Sequence, residues 1–277
     1  MTTIDIAGSR VGRVGFGTMQ LTGPRALGEP SDPGEMRRVL RTAVESGVRL
    51  IDTSGYYGPG VANRLVAEAL RPYATDLLIA TKIGAVRTPD GGFVAAVEPA
   101  ALRAAVHDNL RTLRVERLQL VHVRNMPDAP IPYEETVGVV ADLRAEGLID
   151  SIGVSNVSVE LLDQARGITE IASVENEFHL GDTSGRAVLD HATELGIPFL
   201  AFRPLGNGGV LAPDSRVAKA AATAGVAPAA LALAWALEQS PGLAVIPGTS
   251  SRAHLRDNLA ADAVVLDGRV RAELAGE

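Results

Sequence analysis

The sequence predicts an α/β protein of the (β/α)8 barrel class, a TIM barrel with an N-terminal β-hairpin cap and a C-terminal helix. Three observations carry this prediction. Eight short β-rich runs alternate with amphipathic runs: Val14 to Met19, Val48 to Thr53, Leu77 to Lys82, Leu118 to His122, Ser151 to Ser155, Ala172 to Asn176, Pro198 to Phe202 and Leu243 to Pro247. The helical runs carry their own start and stop signals. The 277 residues suit a barrel, which typically uses about 250. Regular alternation of strand and helix implies parallel strands joined by crossover helices. Eight units favour closure, and an open doubly wound sheet is the alternative. No linker, composition shift or low-complexity stretch divides residues 1–277, which read as one domain.

Taken in order, Ile4 to Val14 reads as a hairpin turning at Gly8-Ser9. Asp32-Pro33-Gly34-Glu35 then opens a helix, with a capping aspartate, proline in the first turn and glutamate three residues on. Leu102, Val106, Leu110 and Leu113 fall on one helical face. Gly47, Gly147 and Gly196 each end a helical run before a strand, and Ser158 is placed to cap a helix from Val159 to Ala165. Gly206-Asn207-Gly208-Gly209 reads as a loop. The uncharged run from Ala220 to Trp235 and Leu237 approaches membrane-spanning length, but it is alanine-rich and is divided by Gly225 and Pro228 into two packed helices.

Composition narrows the function classes. With 46% hydrophobic and 21% charged residues, the chain is of ordinary globular make-up. It has no cysteine, which excludes disulfides, zinc-thiolate sites and a cysteine nucleophile. A net charge of −7 argues against broad contact with nucleic acid or anionic membrane, so an anionic ligand needs a local basic pocket. The N-terminal run Met1-Thr2-Thr3-Ile4-Asp5 lacks the features of a secretory signal, and the expectation is a cytoplasmic protein. The five histidines (His107, His122, His179, His191 and His254) show no close metal-ligand spacing, and no metal is expected. No feature assigns an oligomeric state.

In a barrel, polar residues at the C-terminal ends of strands converge on one mouth. Those ends carry Asp52, with Tyr57 just beyond it, then Lys82, then His122. Singly, each has an ordinary structural explanation as a helix cap, a loop aromatic, a solvated strand end or a hydrogen-bonded histidine. Together they suit carbonyl reduction. A carbonyl receiving a hydride needs a proton, and a tyrosine with a pKa near 10 is a reluctant acid at neutral pH. An ammonium about 4 Å from the phenol, at an effective dielectric of about 20, favours phenolate by roughly 4 kcal/mol, or about three pKa units. Lys82 is thus expected to lower the pKa of Tyr57. Asp52 would keep the lysine charged, and His122 would orient the carbonyl or relay a proton.

The runs Ile51-Asp52-Thr53-Ser54-Gly55-Tyr56-Tyr57-Gly58, Ala80-Thr81-Lys82 and Leu118-Gln119-Leu120-Val121-His122 resemble the aldo-keto reductase superfamily. The resemblance implies a catalytic tetrad of Asp52, Tyr57, Lys82 and His122, with Tyr56 set aside because the family's acid immediately precedes glycine. It covers nearly the whole chain and implies NADPH as cofactor. Gly153-Val154-Ser155-Asn156 is similar to the segment whose serine and asparagine hold the nicotinamide carboxamide. Val174-Glu175-Asn176-Glu177-Phe178 matches a segment that usually reads glutamine at the position of Glu175. A carboxylate cannot donate to the carboxamide oxygen unless protonated. In Ala201-Phe202-Arg203-Pro204-Leu205-Gly206, Phe202 sits where the family stacks an aromatic ring on nicotinamide, and Arg203 would reach the pyrophosphate or pair with an acid. Gly248, Thr249, Ser250, Ser251, His254, Asp257 and Asn258 fall in the adenosine-phosphate segment. Gly248 and His254 stand where many members have lysine and arginine, which leaves the three hydroxyls with Arg252 or Arg256 to meet a 2′-phosphate. There is no Gly-x-Gly-x-x-Gly turn, so nicotinamide binding rests on the resemblance alone.

The implied activity is NADPH-dependent reduction of a small aldehyde or ketone to an alcohol. The segments Gly15 to Pro24, Ala105 to Arg111 and Pro247 to Ser251 look like the pyridoxal reductase (pyridoxine 4-dehydrogenase) branch, which implies a small aromatic aldehyde held against Phe16, Phe202 and Tyr56. The segments Gln20 to Asp32, Arg124 to Pro132 and Pro204 to Pro213 are expected to shape the substrate pocket. The alternatives are a non-catalytic NADP(H)-sensing subunit, a reductase of a different, secondary-metabolite carbonyl, and a Schiff-base barrel using Lys82.

Overall fold

A computed structural model describes residues 2–275 of the chain. An antiparallel hairpin, β1 (Thr3–Ile6) and β2 (Ser9–Gly12), precedes the barrel. The eight barrel strands are β3 (Phe16–Gly17), β4 (Leu50–Asp52), β5 (Leu78–Ile83), β8 (Leu118–Arg124), β9 (Ile149–Ser155), β10 (Val174–Glu177), β11 (Phe199–Phe202) and β12 (Leu243–Val245). They lie side by side in chain order, every pairing parallel. The ring closes between first and last strand through parallel bridges at Val14↔Val245 and Gly17↔Gly248. All eight runs expected from the sequence thus contain a strand. A second hairpin, β6 (Ala85–Arg87) and β7 (Phe93–Ala95), was not anticipated and stands at the mouth after β5.

Helices alternate with these strands: α1 (Pro33–Glu45), α2 (Val61–Leu70), α3 (Pro99–Leu113), α4 (Tyr133–Ala145), α5 (Val159–Arg166), α6 (Arg186–Glu194), α7 (Arg216–Ala224), α8 (Pro228–Glu238), α9 (Arg252–Leu259) and α10 (Gly268–Ala275). Their ends follow the local chemistry. Asp32 accepts the amide of Glu35 at the start of α1, and Ser158 accepts that of Leu161 at the start of α5. Gly47, Gly147 and Gly196 adopt φ of +97°, +83° and +68°, the left-handed turn that lets a helix stop and reverse into a strand without a Cβ penalty. Gly225, at φ +67°, ends α7, and Pro228 begins α8 at an angle of 98°. No single helix is long and apolar enough to cross a membrane, and the apolar face of α8 packs into the protein. The expected loop at Gly206-Asn207-Gly208-Gly209 lies in a segment of 3-10 turns, Gly206–Leu211, broken by left-handed residues at Asn207 and Gly208.

Period-two alternation decides what fills the barrel. Leu50, Leu78, Ala80, Leu120, Leu200 and Ala244 pack inside it, with Ile6 and Val11 of the first hairpin underneath. One step further along β4, β5 and β8 the same inward face carries Asp52, Lys82 and His122, with Lys82 directly opposite His122 in the register. The outward residues, among them Ile79, Val121, Val123 and Val154, pack against the helices. The barrel is therefore sealed by hydrocarbon below and turns polar at one level.

Closure depends on Arg13. Its guanidinium donates to the carbonyls of Leu243 at 2.8 Å, Leu237 at 2.5 Å and Ser240 at 2.5 Å, tying the entry to β3 onto the last strand–helix unit. Hydrogen bonds from a charged donor to carbonyls are each worth about 1.5–3 kcal/mol, less where solvent reaches them. Arg13→Ala is expected to destabilise the fold by about 2 kcal/mol, read as a lower urea midpoint at unchanged slope. An unchanged midpoint would show that closure does not depend on this side chain.

Candidate active site

A cavity of about 510 Å3 opens at the C-terminal ends of the strands. Tyr57, Asp52 and Lys82 line it. Tyr57 is positioned by a buried polar network under its loop. Thr18 donates to Thr53, Thr53 to Asn63, and Asn63 to Asn109, while Thr81 donates to the same Asn109 oxygen. A Cβ on Gly55 would lie 3.1 Å from the Asn109 amide, so glycine lets the loop run close over that network. Tyr56 points away from the cavity, edge-on to Tyr57 at 5.3 Å and to Phe93 at 5.5 Å. Its hydroxyl is buried without a hydrogen-bond partner among the described residues.

The centre of the site is the ammonium of Lys82, 4% exposed. Both Asp52 oxygens lie 2.5 Å from Nζ, and Oε1 of Glu175 lies at 3.0 Å. Glu175 is wholly buried, and its Oε2 is 3.1 Å from Nδ1 of His122. Burial acts on all four groups. It pushes Asp52 up to about 7, reinforced by the charge of Glu175 and opposed by Lys82. It raises Glu175 above its ordinary pKa against the same ammonium. The two carboxylates hold Lys82 well above its usual pKa despite its burial. That environment works against a Schiff-base role, which needs a neutral amine. No metal set is visible in the sequence spacing, yet one ligand atom each of Asp52, His122 and Glu175 come within 4.8 Å of one another. Lys82 Nζ is the cation lodged against the two carboxylates.

Two expectations are revised by this geometry. The Lys82 ammonium lies 5.6 Å from the Tyr57 ring centroid, but its charge is already shared by two carboxylates. Burial, the larger influence, drives the Tyr57 phenol above its usual pKa rather than below it. His122 does not line the cavity. It is fully buried, with Nε2 2.9 Å from Ser173 Oγ, and burial followed by the charge of Lys82 lowers its pKa to about 3. A Cβ on Gly153 would approach its ring to 2.4 Å, so glycine on the neighbouring strand makes room for the imidazole. A neutral His122, with Nε2 against Ser173 Oγ and Nδ1 beside Glu175, is a support beneath the site.

Of the residues expected at a cofactor, Ser155, Asn156, Glu175, Phe202, Arg203, Pro204, Leu205, Gly248, Thr249, Ser250 and His254 line the cavity. Gly206, Ser251, Asp257 and Asn258 do not. Gly206 packs on His179, Ser251 caps α9 by accepting from His254, and Asn258 is buried. Arg203 pairs with Glu177 at 3.3 Å, and Arg252 with Glu35 at 2.9 Å. Phe16 is buried in the core and Tyr56 lies behind Tyr57, so neither offers the cavity the flat surface expected of it. Phe93 does, from the unanticipated hairpin. Gln20 and Arg124, at the starts of two segments expected to shape the pocket, line it as well, and so do Gly17, Met19 and Glu177, which were given no site role. Beyond Arg124, the stretch to Pro132 encloses a separate, smaller cavity. The donor set fits a nicotinamide cofactor. The Ser155 hydroxyl and Asn156 amide side chain make no hydrogen bond with any described residue, and the hydroxyls of Thr249 and Ser250 stand at the N-terminus of α9, which suits an anion.

The model of the aldo/keto reductase family matches residues 13–275. The chain belongs to that family, and it is an oxidoreductase working with a nicotinamide cofactor. It is 42% identical to pyridoxine 4-dehydrogenase of Escherichia coli, over 99% of this chain and 97% of that one. It is 33% identical to an uncharacterized oxidoreductase of Schizosaccharomyces pombe, over 99% and 89% of the two chains. Among solved structures, an aldo-keto reductase from Klebsiella pneumoniae in complex with NADPH superposes with a TM-score of 0.85 at 26% identity, covering 99% of this chain and 94% of that one.

The buried acid pair has a measurable signature. Asp52 and Glu175 bind protons more tightly folded than unfolded, so their contribution to stability falls as pH rises from about 4 to about 7. His122, kept neutral, contributes in the opposite sense below its unfolded pKa. Glu175→Gln removes one of the two acids and the charge that raises the other, while His122 stays. The variant should therefore lose less stability than the parent between pH 4 and 7, with urea midpoints across that range as the measurement. Parallel curves for the two proteins would refute the coupling.

Proposed function

We propose that the chain is an NADPH-dependent reductase of small aldehydes or ketones, that Tyr57 is its proton donor, and that pyridoxal is the first substrate to test. The observation that carries the reading is the placement of Tyr57 on the cavity wall beside the Lys82 ammonium, with Tyr56 turned away. The relation to the Escherichia coli pyridoxine 4-dehydrogenase supports the substrate class, and the NADPH held by the Klebsiella pneumoniae relative supports the cofactor.

A bound reduced nicotinamide supplies the hydride to the carbonyl carbon. The protein's part is the oxygen. The Tyr57 phenol is protonated at neutral pH and holds the proton that the developing alkoxide takes; burial makes it a weaker acid, which the Lys82 charge opposes. The phenolate left behind is met by Lys82, whose charge Asp52 secures. Glu175 and His122 support Lys82 from below, and solvent restores the Tyr57 proton after the alcohol leaves. Ser155 and Asn156 are the candidates to hold the carboxamide, Phe202 to face the ring, and Thr249 and Ser250 to meet phosphate.

Tyr57→Phe is expected to lower kcat by a hundredfold or more, about the contribution of general acid catalysis, with nucleotide affinity changed by no more than a few-fold. Tyr56→Phe should be far milder. Equal losses in the two variants would remove the assignment of the acid.

NADPH should bind about tenfold or more tightly than NADH, the scale of one charge-assisted contact to the 2′-phosphate. Arg256 is the cation near α9 without an ion-pair partner among the described residues, and Arg256→Ala should narrow the gap. Calorimetric dissociation constants that coincide for the two nucleotides would count against this. For the substrate, kcat/KM for pyridoxal is expected to exceed that for benzaldehyde and small ketones at saturating NADPH. A pyridoxal value no higher than theirs would leave carbonyl reduction standing and remove the pyridoxal assignment.

A further inference from the structure

Arg124 and Arg203 line the cavity and Arg87 lies against the Phe93 ring beside it, and two of these three arginines are committed elsewhere. Arg203 is paired with Glu177. Arg87 donates to the carbonyls of Gly91 at 2.6 Å and Arg25 at 2.5 Å, which pins the tip of the β6–β7 hairpin. Arg124 is different. It ends β8 on the inward face that also carries Leu120 and His122, and it lines the cavity. Its guanidinium makes no hydrogen bond and no ion pair with any described residue, and its Nε is fully buried without a partner. What holds it is the ring of Phe93, whose centroid lies 4.3 Å from Arg124 Cζ and 4.1 Å from Arg87 Cζ. Two like charges on one ring leave a surplus of positive charge there. Burial first, and then the charges of Arg124 and Arg203 against the opposing pull of the tyrosines, hold the Arg87 guanidinium below its ordinary pKa.

The position of Arg124 separates it from the cofactor's phosphates. In the closed ring of eight strands, β8 lies four places from β12 in either direction, so Arg124 stands across the mouth from Thr249 and Ser250. Its neighbours are on the Tyr57 side: Phe93 touches Tyr56, and Tyr56 touches Tyr57. A guanidinium in a partly buried wall with unfilled donors is completed by an acceptor that brings negative charge in a planar or forked arrangement.

We propose that Arg124, stacked on Phe93 and backed by Arg87, is an anion-accepting subsite for the substrate, so that the preferred carbonyl compounds carry an anionic oxygen group a short distance from the carbonyl. The shared chemistry is a carboxylate, a phosphate ester or an ionised ring hydroxyl. An aromatic aldehyde with such a group sets its ring on Phe93 and its charge on Arg124 while the carbonyl faces Tyr57. The inference rests on the reductase reading and adds to it the substrate's charge.

The test compares matched neutral and anionic probes. For wild type with NADPH saturating, kcat/KM is measured for 4-carboxybenzaldehyde against its methyl ester, for 2-hydroxybenzaldehyde against 2-methoxybenzaldehyde, and for a phosphate-bearing aldehyde against its dephosphorylated form. At least one anionic member should be preferred by about tenfold or more, the scale of a charge-assisted hydrogen bond, and the pair that shows it identifies the group. In Arg124→Met that ratio should fall to about one, chiefly through KM, and Arg124→Lys should restore part of it. Melting temperatures of both variants separate a lost subsite from a lost fold. Binding of 4-carboxybenzyl alcohol and of benzyl alcohol, measured by calorimetry without turnover, gives a second readout that should depend on Arg124 in the same way. Turnover with no preference for any anionic member, or a preference that survives in Arg124→Met, overturns the subsite and leaves the reductase reading intact. No turnover of any aldehyde, with Arg124-dependent binding of the carboxylate, overturns the reductase reading and leaves the subsite intact.

Discussion

The structure turns on a buried ammonium. Lys82 has left water, and a charge in that position is tolerable only if opposite charge surrounds it at close range. Asp52 supplies it from β4 and Glu175 from β10, so the ion is held from both sides of the barrel. The arrangement contains more acid than base. Two carboxylates face one ammonium, and burial raises the pKa of both acids, that of Asp52 further through the charge of Glu175. His122 is kept neutral chiefly by its burial and then by the charge of Lys82. The polar level therefore works as one electrostatic unit, and the phenol above it responds to the sum rather than to Lys82 alone.

The eight strands were legible because their outward and inward faces obey different demands. Outward residues must be apolar to meet helices, so Ile79, Val121 and Val154 announce strands wherever they stand. The helix ends at Asp32, Ser158, Gly47, Gly147 and Gly196 were legible because capping and left-handed turns are local chemistry. The convergence of Asp52, Tyr57 and Lys82 followed from strand ends alone. What escaped was whatever depends on depth. Glu175 was marked as a departure from a pattern, but its pairing with Lys82 across the barrel has no trace in sequence separation. The balance between burial and charge at Tyr57 likewise depends on how the lysine's charge is divided. The β6–β7 hairpin did leave a signal, Pro89-Asp90-Gly91 between β-prone residues, and reading it would have brought Phe93 forward. Phe16 and Tyr56 were expected at the cavity because aromatic identity does not say which way a ring faces.

The mouth of the barrel is divided by strand order. Residues after β9, β11 and β12 present hydroxyls, an amide and the N-terminus of α9, while those around β4, β5 and β8 present Tyr57, Phe93 and Arg124. These two sets of groups stand on opposite halves of one ring, with Lys82 of β5 in the second half. Variation in either half need not disturb the other, since each is carried by its own loops on a shared floor.

The seam at β3 has a consequence for the chain as it is made. β3 is two residues long and gains its second neighbour only through the bridges to Val245 and Gly248, the Arg13 contacts to carbonyls 237 to 243, and the reach of Thr2 to Asp262. β12 shares this seam, while each of the six strands between them pairs with both neighbours through the sheet itself. During synthesis the first barrel strand to leave the ribosome is therefore the last to be fully paired. β3 waits with one edge open until β12 has emerged, and the barrel becomes a ring only when its oldest and youngest strands meet.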